Sequence, residues 1–176
     1  MKPDVSIIIP TYNRAKMLVG AIDSCRQAGN DISVEVIVVD DGSTDDTEAV
    51  VSALNVRYIR QPRNMGRCSA RNEGMRQSSG HFLKFLDSDD RLEPGALPLE
   101  VELARSSSAD IVVSAWREVR INADGSETEM KGGTVPVFEA IMDDLLAGKG
   151  VPTREGLNKF RFLWSDRVND DGCCIA

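Results

Sequence analysis

The sequence predicts an α/β fold built on a mixed, mainly parallel central sheet. Three observations carry this. Short β-rich apolar runs alternate with longer amphipathic ones, glycine and turn residues punctuate them, and one run is too continuously apolar to have a solvated face.

Taken in order, "VSIII" (5–9) is a strand that ends at Pro10. Residues 15–28 place Leu18, Ile22 and Cys25 at helical spacing, with Ala21 and Ala28 extending the stripe, and Gly29 stops the helix. "VEVIVV" (34–39) suits a central strand covered on both faces. After "DDGST", Ser43 or Thr44 is expected to cap a helix over 45–54, because a side-chain oxygen there satisfies unpaired backbone donors. "VRYI" (56–59) is a short strand, followed by a loop through Gly66, a helix to about Gln77 and a glycine stop at Gly80. "HFLKFL" (81–86) is the next strand. Pro94 is expected in the first turn of a helix carrying Leu97, Val101 and Ala104. "DIVVSAWREVRI" (110–121) with the turn "NADG" predicts an antiparallel hairpin. A last helix, 137–147, would bury Phe138, Ile141, Met142 and Leu145.

A chain of 176 residues fits one domain with a core that needs no disulfide support, and 41% hydrophobic with 28% charged residues marks a soluble globular composition. The net charge of -7 opposes nonspecific attraction to nucleic acid or anionic lipid, so any basic site must be local. No apolar run approaches the roughly 18 residues of a membrane span, and the N-terminus lacks a signal peptide's features. The expectation is a cytoplasmic protein, at most peripheral to the inner face of the membrane. Cys25, Cys68, Cys173 and Cys174 show no paired spacing for zinc, and the single histidine, His81, opens a strand rather than a catalytic set.

Three charged clusters stand out. Asp40 and Asp41 end the second long strand, where a carboxylate can accept hydrogen bonds from a ligand's N–H groups; the same residues also read as a helix-capping turn. Arg60, Arg63, Arg67, Arg71 and Arg76 fall in a stretch with one acid, Glu73, and Arg67 and Arg71 share a helix face near a helix start that favours phosphate. Asp87, Asp89 and Asp90 follow the "HFLKFL" strand. Hard divalent ions take one or two such carboxylates and complete their shell with phosphate and water. One ligand explains all three clusters: a nucleoside diphosphate whose phosphates are bridged by a metal.

"SIIIPTYNR", "VIVVDDGSTDDT", "NMGRCSARNEG" and "FLDSDD", in this order and spacing, resemble the family 2 glycosyltransferases of GT-A fold across roughly residues 4–115. The resemblance implies a Rossmann-like three-layer α/β/α sandwich. It implies transfer of one sugar from a nucleotide-sugar donor, with UDP preferred on family frequency, to an acceptor with inversion. The acceptor would be a sugar, a lipid-linked group or a protein. By that similarity Pro10, Thr11 and Tyr12 line the base and ribose pocket, Asp40 hydrogen-bonds the base with Asp41 beside it, and Arg14, Arg67, Arg71, Asp87 and Ser88 hold the rest of the donor. By the same similarity Asp89 would be the direct ligand of Mn²⁺ or Mg²⁺, with Asp87 and Asp90 next to it. The chain is expected to be a single domain over 1–176, with a donor half, 1–115, and a partial or truncated acceptor half, 116–176. The catalytic base is unassigned, with Asp166, Asp170 and Asp171 as candidates. The processive signature Q-x-x-R-W is absent, which favours single-sugar transfer. Rival readings are a catalytically silent nucleotide-sugar binder, a receiver-like signalling module and a nucleotidyltransferase. The receiver places its acidic pair after the first strand rather than the second, and "PTYNR" is not the glycine- and lysine-containing loop of the nucleotidyltransferase.

Overall fold

A computed structural model describes residues 1–122, 126–133 and 161–165. The chain runs β1 (Val5–Thr11), α1 (Ala15–Ala28), β2 (Val34–Asp40), α2 (Thr47–Ser52), β3 (Arg57–Arg60) and α3 (Arg67–Gln77). It continues through β4 (Phe82–Phe85), α4 (Ala96–Ser107), β5 (Ile111–Ser114), β6 (Trp116–Ile121), β7 (Glu127–Gly133) and β8 (Arg161–Ser165). Among the described residues six strands form one sheet in the order β3-β2-β1-β4-β8-β5, and every pairing in it is parallel. The antiparallel pairing expected of the sheet lies outside it, in the separate ribbon β6-β7.

The two faces of the sheet are covered differently, and strand alternation shows how. Val5, Ile7 and Ile9 of β1, Val38 of β2 and Phe82 of β4 pack with Leu18, Ile22 and Cys25 of α1 and Leu97, Val101 and Ala104 of α4. Ile8, Ile37, Val39 and Leu83 point the other way, towards α3. Each such side chain, fully buried, contributes about 1.5–3 kcal/mol relative to exposure. The α3 sequence RCSARNEGMRQ has no wide apolar stripe, and it buries only Ala70 and Gly74, four residues apart. Small residues let it lie close. A Cβ on Gly74 would stand 2.4 Å from Ile8 Cγ2.

Four expectations are corrected. Residues 110–121 do not form one hairpin arm, because the stretch divides at Ala115. Ile111–Ser114 carries the buried Val112 into the main sheet, whereas Arg117, Glu118 and Arg120 are exposed and suit a ribbon with solvated faces. The second helix is shorter than 45–54, covering Thr47–Ser52. Ser43 and Thr44 do not cap it, since their polar groups bond to Asn13. Pro94 precedes α4 rather than entering it. Gly95, at φ +72°, ends the turn, and Pro98 stands in the first turn instead. The predicted helix 137–147, with Phe138, Ile141, Met142 and Leu145, lies outside the described residues.

Candidate functional site

From β1 the chain winds outward through β2 to β3, then returns to place β4 on the other side of β1. β1 and β4 are neighbours and run parallel, so the segments that follow them emerge side by side at the carboxyl edge of the sheet, the edge at which ligands bind in open α/β folds. Residues 12–14 form one lip of this edge and residues 86–90 the other. Arg14 Nη1 reaches across to Asp89 Oδ2 at 3.4 Å. Deeper in, Arg71 Nη2 of α3 donates to Asp87 Oδ1 at 2.6 Å, and the Arg71 guanidinium lies 5.8 Å from the centre of the Phe85 ring. The Asp90 amide donates to the Asp87 carbonyl at 3.0 Å and closes the turn. Two arginines thus neutralise two of the three clustered aspartates. The Arg71–Asp87 pair is the stronger, being short and half-buried, while Arg14–Asp89 is exposed and screened.

Asp40 and Asp41 follow one another and so leave the strand on opposite faces. Asp40 shares the face of Val38, away from α3, and is 0% exposed. Its Oδ1 accepts the Ser43 amide at 2.8 Å, and its Oδ2 accepts the Tyr58 hydroxyl at 2.5 Å and Arg60 Nη1 at 3.3 Å. Burial, followed by the hydrogen bond to Asp40, pushes the Tyr58 phenol up to about 12. The structure therefore gives Asp40 a scaffolding part: the sequence reading expected it to hydrogen-bond the base, whereas here its buried carboxylate is taken up by Ser43, Tyr58 and Arg60. Asp41 lies on the α3 side. Its Oδ1 accepts the Met65 amide at 2.7 Å and its Oδ2 the Gly66 amide at 2.8 Å, while its own amide donates to the Thr11 carbonyl at 2.8 Å. This fixes the entry to α3, and with it Arg71.

Sequence reasoning missed Asn13 and Asp45. Asn13 adopts φ 53°; its amide donates to Ser43 Oγ at 2.9 Å and its Oδ1 accepts the Thr44 amide at 2.8 Å. A signal for it existed, because asparagine is among the few residues that tolerate left-handed backbone. Asp45 Oδ2 accepts the Ala15 amide at 3.2 Å, and its Oδ1 accepts the amide and hydroxyl of Thr47 at 3.1 and 2.5 Å. One carboxylate thus serves the first turns of both α1 and α2. The Thr47 hydroxyl, more than the two amides, holds its pKa below the usual carboxylate value.

The remaining predicted residues divide by position. Pro10 and Thr11 are buried at the end of β1, Tyr12 is 43% exposed on the lip, and Ser88 is buried between Asp87 and Asp89. Arg63 and Arg67 are exposed at the same edge. Arg60 turns to Asp40 and Glu48, and Arg76 pairs with Glu73 towards the far end of α3, so the arginine cluster serves more than one purpose. Asp166, Asp170 and Asp171 lie outside the described residues. Among the described residues no three His, Cys, Asp or Glu side chains stand close enough to hold a metal by themselves. Asp87 and Asp89 nevertheless fit a hard divalent ion that takes its other oxygens from phosphate and water. No helix among the described residues is long and apolar enough to cross a membrane.

The Glycosyl transferase family 2 model matches residues 6–159. The chain is 36% identical over 146 residues to the succinoglycan biosynthesis protein ExoO of Rhizobium meliloti, a match covering 77% of this chain and 42% of that protein. It is 38% identical over 115 residues to the GalNAc(5)-diNAcBac-PP-undecaprenol beta-1,3-glucosyltransferase of Campylobacter jejuni, covering 62% of this chain and 37% of that one. It thus spans less than half the length of either relative. S. aureus TarS 1-349, solved in complex with UDP-GlcNAc, superposes with a TM-score of 0.59 at 30% identity, covering 66% of this chain and 35% of that chain. With an acidic turn and arginines gathered at the mouth of a parallel sheet of this order, and a family match over most of its length, the chain belongs to glycosyl transferase family 2 and has its GT-A fold.

Proposed function

We propose that the chain binds a UDP-sugar at the carboxyl edge beyond β1 and β4 and transfers one sugar, with inversion and metal assistance, to an acceptor. The observation that carries this is the pair of arginine–carboxylate contacts, Arg14–Asp89 and Arg71–Asp87, gathered where residues 12–14, residues 86–90 and α3 meet at the carboxyl edge of the sheet. Each pair offers what a cation-bridged diphosphate needs: a carboxylate for the cation and a guanidinium for the phosphate. A bound Mn²⁺ or Mg²⁺ would supply positive charge against the diphosphate. Arg71 and Arg14, released from their aspartates, would turn to the phosphates and stabilise the negative charge that builds as the sugar leaves. Tyr12 on the lip offers a ring for the base. The TarS complex with UDP-GlcNAc supports the donor class, and the name of the Campylobacter relative supports a lipid-linked acceptor.

A thermal-shift series tests this. A saturating ligand at a hundred times its Kd adds about 2.7 kcal/mol, and each kcal/mol raises Tm by roughly 2–4 °C at this size, so UDP with Mn²⁺ should raise Tm by about 5–10 °C. UDP alone should do much less. Asp89→Ala should remove the metal-dependent increment; an unchanged increment would defeat the metal assignment. No response to UDP under any condition would defeat the donor reading. Binding without turnover on any acceptor would favour the silent binder.

A further inference from the structure

A two-stranded ribbon is marginally stable by itself, so its contacts with the body of the protein decide where it lies. The ribbon β6-β7 leaves the sheet after β5, at the same carboxyl edge as the acidic turn. Its register shows which face it turns inward. Glu118 pairs with Lys131 and Val119 with Glu129, so the extra residue at the bulge, Met130, stands on β7 and β6 alternates regularly. Ile121 pairs with Glu127, which puts Arg117, Val119 and Glu127 on one face and Glu118 and Arg120 on the other. Arg117 Nε donates to Glu93 Oε1 at 2.7 Å, and Arg117 Nη2 lies 3.6 Å from Glu127 Oε2. Glu127 Oε1 in turn faces Arg91 Nη1 at 3.5 Å. Charges of alternating sign thus join the inner face of the ribbon to residues 91 and 93, which follow Asp90 directly. That mount is held from behind. Leu92, between the two, is buried, and its amide donates to Ser24 Oγ of α1 at 3.0 Å. Arg91 lies against the bare backbone of Gly20, where a Cβ would stand 3.2 Å from its Nε. The base of the ribbon, by contrast, is built of small residues, Ala115 on one leg and Gly132 and Gly133 on the other.

We propose that the ribbon is a lid, hinged at Ala115 and at Gly132 and Gly133 and clasped to residues 91 and 93 through Arg117 and Glu127, which sets how fast a nucleotide enters and leaves the carboxyl edge. The inference rests on the nucleotide-sugar reading of that edge and goes beyond it. A hinge needs a few positions that absorb backbone rotation, and a rigid body on either side of them. Small residues at the base of the ribbon supply the first; the anchored segment 91–93 and the paired strands supply the second. The clasp suits repeated opening because its ion pairs are exposed at the surface, where each contributes little and salt screens it. Arg117 is in this account a positioning residue: it acts on the ribbon and makes no contact with the donor.

Two measurements on the same variants decide the matter. Arg117→Gln and Glu93→Gln loosen the clasp, and Arg120→Gln removes a like charge from the outer face as a control. Amide hydrogen exchange, read by mass spectrometry in peptides spanning 116–133, should be about two- to fivefold faster in both clasp variants and unchanged in the control. Exchange in β1 and α1 should not change in any of them, which shows that the fold is kept. Stopped-flow mixing with UDP and Mn²⁺ should then show association and release both faster by about the same factor, leaving Kd within about twofold of wild type, because a gate scales both rates while a lost contact scales release alone. Unchanged exchange in the clasp variants, or an equal change in Arg120→Gln, would overturn the clasp. Faster exchange with unaltered nucleotide rates, or release accelerated alone with a matching loss of affinity, would overturn the lid and leave the nucleotide reading intact. Failure of the wild-type chain to bind UDP would overturn the nucleotide reading and the gating role together.

Discussion

Asp40→Asn separates a scaffolding carboxylate from a ligand-binding one. In the structure Asp40 is wholly buried and receives three donors: the Ser43 amide, the Tyr58 hydroxyl and Arg60 Nη1. An asparagine keeps the shape but replaces one acceptor with an NH₂ group, which then faces donors. A hydrogen bond to a charged group is worth about 1.5–3 kcal/mol, and the Arg60 contact is discounted because that arginine is half-exposed, so the substitution should cost about 3 kcal/mol. At roughly 2–4 °C per kcal/mol the melting temperature should fall by about 6–12 °C. Circular dichroism melts read the loss, and UDP titration well below the transition reads binding. Affinity at that temperature should change less than about threefold, since the carboxylate points away from α3. A variant that melts within about 2 °C of wild type yet loses UDP binding more than tenfold would refute the scaffolding assignment and restore the base contact expected from sequence.

The buried pair Lys84–Glu100, at 2.8 and 3.0 Å, gives a second stability test. Burial pulls the Lys84 pKa down while Glu100 opposes it, so Lys84→Met, which leaves Glu100 without its counter-ion, should cost about 3–5 kcal/mol in a urea melt. The double variant Lys84→Met/Glu100→Leu should recover most of that loss; no recovery would show that the pair itself, rather than the uncompensated charge, holds α4 to β4. Tyr58 gives a pH test. Its folded pKa, about 12, lies above its ordinary value, so the protonated phenol contributes stability that is complete below about pH 10 and lost as pH rises through the folded pKa. Phenolate absorbance, assigned by comparison with Tyr58→Phe, should place its transition near 12, and Tyr58→Phe should lose less stability than wild type over that alkaline window.

The order of elements was legible because the physics that forms them is local. Leu18, Ile22 and Cys25 declare a helix with one dry face, and "VEVIVV" declares a strand covered on both. That same continuous run hid the parity of Asp40 and Asp41. Where a strand alternates apolar with polar, the face of the next residue can be counted off; where Ile37, Val38 and Val39 are all buried, it cannot. The break at Ala115 was hidden for a different reason, since β5 finds its partner in β8, about fifty residues further on, and no local pattern records a pairing of that range. The loops were misread where turn residues had two outlets. Ser43 and Thr44 are good caps, but Asn13, a left-handed residue across the edge, engages them through its backbone amide and side-chain carbonyl, and the first amide of α2 is taken by Asp45, one residue before the N-cap Asp46.

The acidic turn after β4 places three aspartates within four positions, and the arginines that face them have a consequence for binding. Asp87 and Asp89 can stand two residues apart because Arg71 and Arg14 already face them. The proposed function gives those same guanidiniums a diphosphate to meet. Under the proposed function they cannot do both at once: an arginine that turns to a phosphate leaves a carboxylate bare beside a second negative charge. Diphosphate alone is therefore opposed by the carboxylates it would uncover, and a cation alone is opposed by the arginines it would displace. Each partner becomes favourable when the other arrives, and the coupling must be equal in both directions. This is why the response to UDP is expected to depend on metal even though the strongest single contact at that edge, Arg71 to Asp87, contains none.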